Sequence, residues 1–444
     1  MTIPEKIFVP ADLICLLSAI GLTPVLNRVV PPGTRLWLAG GALRDAFLGN
    51  PPGDFDFSSS VPPAAIAHAF AAAVSGRCFM LDEERLQYRV LWWHEGERFT
   101  ADFAPLRGAD IHADLRDRDF TLNAMAWEVT AEDHELLDPL GGLEALRAAA
   151  LRMCTRGAFE NDPVRVLRGI RLASTHRLTI DNETFDQMCT SGKYLKYSPG
   201  ERLRDELVKL LAVRCGEYLD QLRRAGIDGL IFGTADDQDK WDERVAIVKR
   251  YEAQVDQRSA DICPTLSSLG RARVHDDIKR LTFLKLCCFY RAGTPLKSGW
   301  FSERLRLSRR NCELLERLTR LNPDHVDACR QVADSCRARA LWAASLDSDP
   351  ASALLLLSLL NPSRDVLDML EKVATDWLSL DRDGHIDSLM NGDDMRRLFP
   401  YIDGPQTGNA LNLLREAEIF GSVYDADSAA EFLVLNREKV FDFN

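Results

Sequence analysis

The stretch LWLAGGALRDAFLGNPPGDFDF, residues 36–57, carries the strongest structural signal in this chain. Its apolar beginning predicts a strand over residues 36–38, and the segment 42–48 predicts a short helix. Gly40 and Gly41 form the turn between them. Two glycines at a strand-to-helix turn let backbone N–H groups approach a phosphate, and the helix N-terminus adds partial positive charge. The turn is therefore a candidate phosphate site, although such glycines also serve as plain turn residues.

Asp54 and Asp56 follow this turn, two residues apart in a second predicted strand. Strand periodicity places both carboxylates on one face, and it places Phe55 and Phe57 on the other face, toward the core. Two carboxylates on one face can bind a pair of Mg²⁺ ions about 4 Å apart, an arrangement that suits phosphoryl transfer. The alternative is a solvated strand end.

A third carboxylate, Asp102, lies within the apolar segment 99–104, which is predicted as a strand, as is the segment 88–93. Burying a carboxylate in such a strand is costly unless a cation or hydrogen bonds compensate its charge. Asp102 is therefore a candidate third metal ligand. A strand-edge aspartate is the alternative.

Farther along the chain, the sequence Asn161-Asp162-Pro163 predicts a helix start, with a capping side chain and proline at the first helical position. An arginine recurs at every third position of this helix, and that spacing covers an arc of about 120° while apolar residues occupy the other side. The three arginines are Arg165, Arg168 and Arg171. They form either a ligand-binding face or a solvated basic face.

The composition predicts a multidomain globular protein. The chain has 444 residues, 46% of them hydrophobic and 27% charged, and it is too long for one ordinary core. No apolar run approaches the roughly 20 residues needed to cross a bilayer, and the first residues lack the pattern of a secretory signal. Eleven cysteines without a C-x-x-C pair indicate reduced thiols. We therefore expect a cytoplasmic protein with no membrane partner.

The chain divides into an N-terminal part with strands and a long helical part. Strand-like runs end near Val129, and helical periodicity dominates from Leu143 onward. We predict an α+β protein with a helical extension at 1–34, an α/β head at 35–140, a helical neck at 141–215, and a helical body and tail at 216–444. Because the net charge is −12, any RNA partner must bind a local basic surface.

Six successive motifs resemble those of the bacterial-type (class II) tRNA nucleotidyltransferase and poly(A) polymerase family. In order they are GGALRDAFLGNPPGDFDF, DFAPLRG, DLRDRDFTLNAMA, LLDPLGGLEAL, ENDPVRVLRGIRLAS and SPGERLRDELVKLL. The later segment GDDMRRLFPYIDGPQTGNALNLLREAEIFGSV is similar to the C-terminal segment of the tRNA-directed members. The resemblance thus extends over nearly the whole chain. It implies a polymerase beta-like nucleotidyltransferase head followed by a helical neck, body and tail.

The resemblance also implies an activity, which is the addition of C, A or both from CTP and ATP to the 3′ end of a tRNA. Asp54 and Asp56 would bind Mg²⁺ with the assistance of Asp102. Nine residues would bind the incoming nucleotide: Gly40, Gly41, Arg44, Arg118, Asn123, Asp162, Arg165, Arg168 and Arg171. Asp162 and Arg165 would read the base, because cytosine and adenine both present an amino donor beside an unprotonated ring nitrogen.

The chain departs from the family pattern at Asn161, where the family has Glu, and at Asp117, where it has Arg. In addition, only six residues separate Arg107 from Asp114, where many CCA-adding members have a longer flexible loop. A short connection has little freedom to help a pocket change from cytosine to the larger adenine. The sequence therefore favours addition of two cytidines only. The alternative is full CCA addition, with the loop function met by residues 192–200.

Two other functions stay open at the level of sequence. One is a poly(A) polymerase, against which the chain has no strongly basic tail to hold arbitrary RNA. The other is a catalytically inactive RNA-binding protein on the same scaffold. That hypothesis predicts the loss of a motif carboxylate, whereas Asp54, Asp56 and Asp102 are all present.

Overall fold

The computed structural model describes residues 7–233, 238–257, 263–274, 278–289, 300–361, 363–380, 386 and 388–441. The chain forms two compact units. Unit 1 consists of Met1–Glu206 and Gln221–Leu230, and unit 2 consists of Leu207–Asp220 and Ile231–Asn444. In the described part of the chain, no single helix is both long and apolar enough to cross a membrane, although two bent helix pairs meet these criteria jointly.

Unit 1 contains a seven-stranded mixed sheet and a separate two-stranded sheet. The larger sheet consists of β1 (Leu36–Ala39), β2 (Asp54–Ser59), β3 (Arg77–Asp82), β4 (Gln87–His94), β5 (Glu97–Pro105), β6 (Ala126–Glu128) and β7 (Leu136–Leu137). Its spatial order is β3-β4-β5-β2-β1-β6-β7. Neighbouring strands in it are antiparallel, except that β2 and β5 are parallel. The smaller sheet pairs β8 (Ala150–Leu151) with β9 (Thr179–Ile180) in parallel.

The four strands predicted from the sequence are confirmed as β1, β2, β4 and β5. The prediction that strand content ends near Val129 is wrong, because β7, β8 and β9 lie beyond that residue. Each of these three strands has only two residues. A segment that short shows no alternation from which a strand could be predicted.

The helices that begin before residue 233 surround the two sheets or follow them in the chain. They are α1 (Ala11–Ala19), α2 (Leu22–Val29), α3 (Gly41–Phe47), α4 (Ala64–Ala73), α5 (Ile111–Arg116), α6 (Gly142–Arg147), α7 (Ala158–Asn161), α8 (Val164–His176), α9 (Asn182–Ser191), α10 (Gly200–Leu211), α11 (Leu219–Arg224) and α12 (Asp228–Phe232). Short 3-10 helices span Thr121–Asn123 and Gly192–Tyr197. The predicted short helix after the glycine turn is confirmed as α3.

The remainder of the chain is helical, as predicted. Its helices are α13 (Gln238–Gln257), α14 (Pro264–Arg271), α15 (Arg280–Cys288), α16 (Trp300–Arg304), α17 (Arg309–Leu318), α18 (Asp324–Arg330), α19 (Cys336–Leu346), α20 (Pro350–Leu360), α21 (Arg364–Leu380), α22 (Gly392–Leu398), α23 (Gly404–Ile419), α24 (Ala426–Leu435) and α25 (Arg437–Phe441). In unit 2, a buried ion pair joins Lys285 of α15 to Glu252 of α13, with 2.6 Å between Nζ and Oε1.

Packing between aromatic side chains stabilises the apolar face of the large sheet. Phe57 of β2 stacks on Phe103 of β5 with ring centroids 5.1 Å apart. Phe70 of α4 contacts Phe103 at 5.6 Å and Trp92 of β4 at 5.4 Å. Phe55 is also fully buried. Burial of each such side chain stabilises the folded state by roughly 1.5–3 kcal/mol. This burial fixes the register of β2 and β5, and the register in turn fixes the face to which the alternate side chains point.

Candidate functional site

A cavity of about 780 Å³ lies in unit 1. That volume accommodates a nucleotide-sized ligand. All twelve predicted site residues line it: Gly40, Gly41, Arg44, Asp54, Asp56, Asp102, Arg118, Asn123, Asp162, Arg165, Arg168 and Arg171. Eight arginines are among the lining residues: Arg44, Arg85, Arg107, Arg118, Arg165, Arg168, Arg171 and Arg202. The fold thus brings the separate sequence motifs to one place.

Three carboxylates are adjacent on the sheet beside this cavity. Asp54 and Asp56 project from one face of β2, and Phe55 and Phe57 are buried on the other face. The parallel register pairs Asp56 with Asp102 of β5. Like charges this close disfavour one another's ionised form, so the cluster requires compensating cations.

Asp102 is compensated within the protein. Nε of Arg89 donates to its Oδ1 and Nη2 donates to its Oδ2, both at 2.7 Å. Gln87 donates from Nε2 to Oδ2 at 3.2 Å. Arg89 is the antiparallel neighbour of Asp102 on β4. The predicted third metal ligand is therefore held by a bidentate ion pair.

Asp54 and Asp56 face the cavity. Asp54 accepts a hydrogen bond from the hydroxyl of Thr100. Asp56 is open to the cavity, and partial desolvation by the surrounding protein raises the pKa of its carboxyl. Asp102 and Asp54 add to the rise in this pKa, whereas the charges of Arg118 and other arginines oppose it. A divalent cation would relieve this repulsion.

The donor set fits such a cation. Carboxylate oxygens are hard ligands, and Mg²⁺ is usually bound by one or two carboxylates together with substrate phosphates. In agreement with that pattern, no group of three or more His, Cys, Asp or Glu side chains among the described residues forms a metal centre by itself. The carboxylates of Asp54 and Asp56 are the pair that can share a cation with a bound phosphate.

Gly40 makes room for two charged side chains. Its φ of +89° lies in the region that favours glycine. A Cβ added there would lie 3.0 Å from Nη1 of Arg118 and 3.4 Å from Oδ2 of Asp56. The N–H of Gly40 donates to the carbonyl of Met125 at 3.3 Å. Gly40 therefore contributes space rather than a free N–H donor, and α3 begins at Gly41.

Carboxylates hold two of the predicted arginines in place. Arg118 donates from Nε and Nη2 to Oδ2 of Asp114 at 3.1 and 3.0 Å. Nε of Arg168 lies 3.0 Å from Oδ2 of Asp119. Desolvation alone would raise the pKa of Asp119, but Arg168, the Asn123 amide and a backbone N–H together hold this pKa below its usual value. Asp119 is therefore an ionised anchor for Arg168.

Asn123 connects this network to Arg44. Its Nδ2 donates to Oδ1 of Asp119 at 3.1 Å, and its Oδ1 accepts from Nη1 of Arg44 at 2.7 Å. Arg44 also donates from Nε to Oδ1 of Asp45 at 2.9 Å. A continuous set of hydrogen bonds and ion pairs thus runs from α3 through Asn123 to Arg168 on α8.

Asp162 and Arg165 lie close together but bind other groups. Oδ2 of Asp162 accepts from Nη2 of Arg202 at 2.6 Å, whereas Nε of Arg165 is 3.9 Å away. Arg165 instead donates to three backbone carbonyls, those of Asp117 at 2.8 Å, Ala158 at 3.2 Å and Arg118 at 3.5 Å. Both side chains are thus positioned at the cavity by partners from other segments.

The predicted helix start is confirmed, but the predicted capping side chain is wrong. Helix α8 begins at Val164, Pro163 occupies the capping position, and no side chain caps the helix. The Asp162 carboxylate turns to Arg202 instead. Two of the three arginines of α8 are not solvated, because Arg165 and Arg171 are only 12% and 15% exposed. Arg168 is 44% exposed but lines the same cavity.

Sequence reasoning assigned no role to five residues that hold the predicted ones: Arg89, Asp114, Asp119, Arg202 and Glu206. Asp119 nevertheless stands beside Arg118 in a motif that was singled out. Glu206 of α10 binds Arg171, with 2.5 Å between Oε2 and Nε. Four of the five lie inside the quoted motifs, so their sequence position was a usable signal. Arg89 lies outside all six motifs, and only strand pairing reveals its role.

Comparisons with known proteins agree with this geometry. Residues 36–152 match the family model of the poly(A) polymerase head domain, and residues 177–232 match the model of the probable RNA and SrmB-binding site of polymerase A. The CC-adding tRNA nucleotidyltransferase of Geobacter sulfurreducens is 32% identical over 425 residues, which cover 90% of this chain and 92% of that protein. The A-adding tRNA nucleotidyltransferase of Deinococcus radiodurans is 40% identical over 186 residues, which cover 41% and 40%.

A solved structure, that of the Thermotoga maritima CCA-adding enzyme complexed with tRNA, has the same fold. The TM-score is 0.70 at 19% identity, and the alignment covers 98% of this chain and 100% of that one. Nucleotidyltransferases of this kind generally depend on a metal ion, which agrees with the paired carboxylates of β2. Because one relative above 30% identity matches nearly the whole chain, this chain belongs to the bacterial tRNA nucleotidyltransferase and poly(A) polymerase family.

Proposed function

We propose that this protein adds two cytidines to the 3′ end of tRNA, using CTP and releasing pyrophosphate. The observation that carries the proposal is the cavity, which combines a carboxylate pair with eight arginines in a volume suited to a nucleoside triphosphate. The relative from Geobacter sulfurreducens, which is 32% identical over 90% of this chain, is a CC-adding enzyme. The eleven cysteines, all within the described residues, are thiols rather than disulfides, which supports a reducing, cytoplasmic location.

The reaction forms a bond from the 3′ hydroxyl oxygen of the RNA to the α-phosphorus of CTP and breaks the bond from that phosphorus to pyrophosphate. Asp54 and Asp56 would hold Mg²⁺, which lowers the pKa of the hydroxyl and neutralises charge on the phosphates. Arg44 and Arg118 present guanidinium groups that suit phosphate oxygens. Since both arginines are already held by hydrogen bonds, they lose little conformational entropy on binding.

Asp162 and Arg165 are proposed to select the base. The carboxylate of Asp162 has acceptor capacity beyond its bond to Arg202, and it can accept from the amino group of cytosine. Arg165 can donate to the neighbouring ring nitrogen. Uracil presents a carbonyl and an N–H at these positions, and a buried unpaired group costs roughly 1–3 kcal/mol. A protein side chain therefore takes the place of a template.

The connection that follows β5 supports addition of cytidine only. The N–H of Arg107 donates to Oδ1 of Asp114 at 3.0 Å, and Asp110 caps α5 by accepting from the N–H of Ala113 at 2.8 Å. A connection tied by hydrogen bonds has few conformations through which the pocket could enlarge for adenine. The segment 192–200 is the alternative place for the loop function that full CCA addition would need. It contains the 3-10 helix Gly192–Tyr197, so most of it has regular structure.

We propose a division of labour along the boundaries predicted from the sequence. We infer that the head at 35–140 carries the catalytic carboxylates, that the neck at 141–215 reads the base, and that the body and tail at 216–444 bind RNA, with 1–34 as an extension. The match of residues 177–232 to a probable RNA-binding site covers the end of the neck and the start of the body, and it supports RNA contacts in that segment. The match to a poly(A) polymerase head makes poly(A) addition the second candidate.

A product assay separates these candidates. With tRNA that lacks its three terminal residues, plus CTP and ATP, we expect the product to end after two cytidines. Gel electrophoresis at single-nucleotide resolution, with CTP alone and ATP alone as controls, measures the outcome. Efficient addition of the terminal adenosine would establish CCA addition instead, and a long adenosine tail would establish a poly(A) polymerase.

Asp54→Ala and Asp56→Ala are each expected to lower the rate of nucleotide addition at least about a hundredfold, because each removes an oxygen ligand for Mg²⁺. Circular dichroism should stay unchanged. Glu97→Ala, which removes an exposed carboxylate from β5 of the same sheet, is the matched control and should keep near wild-type activity. An Asp54 or Asp56 variant with more than about a tenth of the wild-type rate, equivalent to roughly 1.4 kcal/mol, would contradict the assignment.

Gly40→Ala is expected to raise the KM for CTP about tenfold, because the added Cβ would displace Arg118. Gly49→Ala is the matched control, since its φ of +76° imposes a similar backbone strain while nothing lies within 4 Å of its Cβ. Steady-state kinetics and thermal unfolding of both variants separate the two effects. An equal KM in the two variants would show that the space at Gly40 does not matter for nucleotide binding.

Asp162→Ala is expected to reduce the preference for CTP over UTP by about ten- to a hundredfold, since the base then loses its acceptor partner. Competition between the two nucleotides on the same tRNA measures this preference. Asp205→Ala, on the exposed side of α10, serves as the control. Unchanged discrimination in the Asp162 variant would refute the role in base selection.

A further inference from the structure

A cationic side chain on the neighbouring strand β4 lies beside the acidic cluster formed by Asp54, Asp56 and Asp102. The register of β2, β5 and β4 places Asp56, Asp102 and Arg89 in one row across three strands. Arg89 binds both carboxylate oxygens of Asp102 at 2.7 Å. The guanidinium therefore compensates one of the three adjacent negative charges from within the protein.

The ion pair between Arg89 and Asp102 is partly shielded from solvent and is supported by a further hydrogen bond. The side chain of Asp102 is 10% exposed and that of Arg89 is 37% exposed, so the contact is shielded mainly on the carboxylate side. Gln87, on the same strand as Arg89, adds a third hydrogen bond. A planar guanidinium matches a carboxylate in two parallel hydrogen bonds, and this geometry fixes the orientation of Asp102.

We propose that Arg89 is a positioning residue that orients Asp102 and keeps the carboxylate cluster from binding a divalent cation tightly before the nucleotide arrives. The inference rests on the proposed function, because it requires that Asp54 and Asp56 bind a metal ion. The net charge of a cluster sets how strongly it attracts a cation. With Arg89 in place, firm cation binding requires the additional oxygens of a triphosphate, so metal and nucleotide bind together.

Direct binding of Mn²⁺ to the full-length, nucleotide-free protein tests this inference without a measurement of activity. Arg89→Met is expected to bind Mn²⁺ about tenfold more tightly than wild type, because one positive charge beside the cluster is lost. Arg89→Lys, which keeps the charge, should stay within about threefold of wild type. Arg98→Met removes an arginine from an exposed position on β5 and is the matched control. Titration followed by electron paramagnetic resonance measures free Mn²⁺ in each case.

Each outcome decides the matter. Equal or weaker Mn²⁺ binding by Arg89→Met overturns the inference, and Arg89→Gln gives the same test if the methionine variant does not fold by circular dichroism. Asp56→Ala separates this result from a failure of the proposed function. If adding Asp56→Ala to Arg89→Met leaves Mn²⁺ binding unchanged, the metal site itself is wrong. If Asp56→Ala binds more weakly while Arg89→Met equals wild type, only the role of Arg89 is wrong.

Discussion

The parallel pairing of β2 with β5 is the constraint on which the site depends, because it places Asp56 directly beside Asp102. The same pairing stacks Phe57 on Phe103 on the opposite face, with centroids 5.1 Å apart. A slip of one residue would turn every side chain of β2 to the other face. It would bury the aspartates and expose the phenylalanines. The free energy of aromatic burial therefore also maintains the catalytic geometry.

The negative charge concentrated on Asp54, Asp56 and Asp102 constrains how the arginines at the cavity are arranged. The arginines at the cavity could collapse onto Asp54 and Asp56, and that collapse would block a metal ion. Carboxylates elsewhere hold them apart, in the pairs Arg118–Asp114, Arg168–Asp119, Arg171–Glu206 and Arg202–Asp162. Side chains held in this way are already ordered when an anion arrives, which lowers the entropic cost of binding. This arrangement also explains how a chain with a net charge of −12 can bind a triphosphate locally.

Features with a local period could be predicted from the sequence, and features that depend on tertiary pairing could not. Alternation in β2 was enough to place Asp54 and Asp56 on one face. Arg89 is 13 residues from Asp102, and Arg202 is 40 residues from Asp162, so only the fold brings these pairs together. The cap predicted for α8 failed for the same reason. A helix cap contributes about 1 kcal/mol, and a short ion pair in a cavity outweighs that contribution.

Hydrogen bonding alone cannot separate cytosine from adenine, since both present the same donor and acceptor pattern to Asp162 and Arg165. The distinction must come from the size of the pocket. Asp117, where the family has Arg, lies 3.6 Å from Arg107 between Oδ2 and Nη1, and its carbonyl binds Arg165 at 2.8 Å. The side chain of Asp117 thus contacts the start of the short connection after β5, and its backbone contacts Arg165, which is proposed to meet the base. These two contacts restrict the movement of Arg165 relative to the short connection, and this restriction is the physical basis for the proposal that the pocket keeps one size.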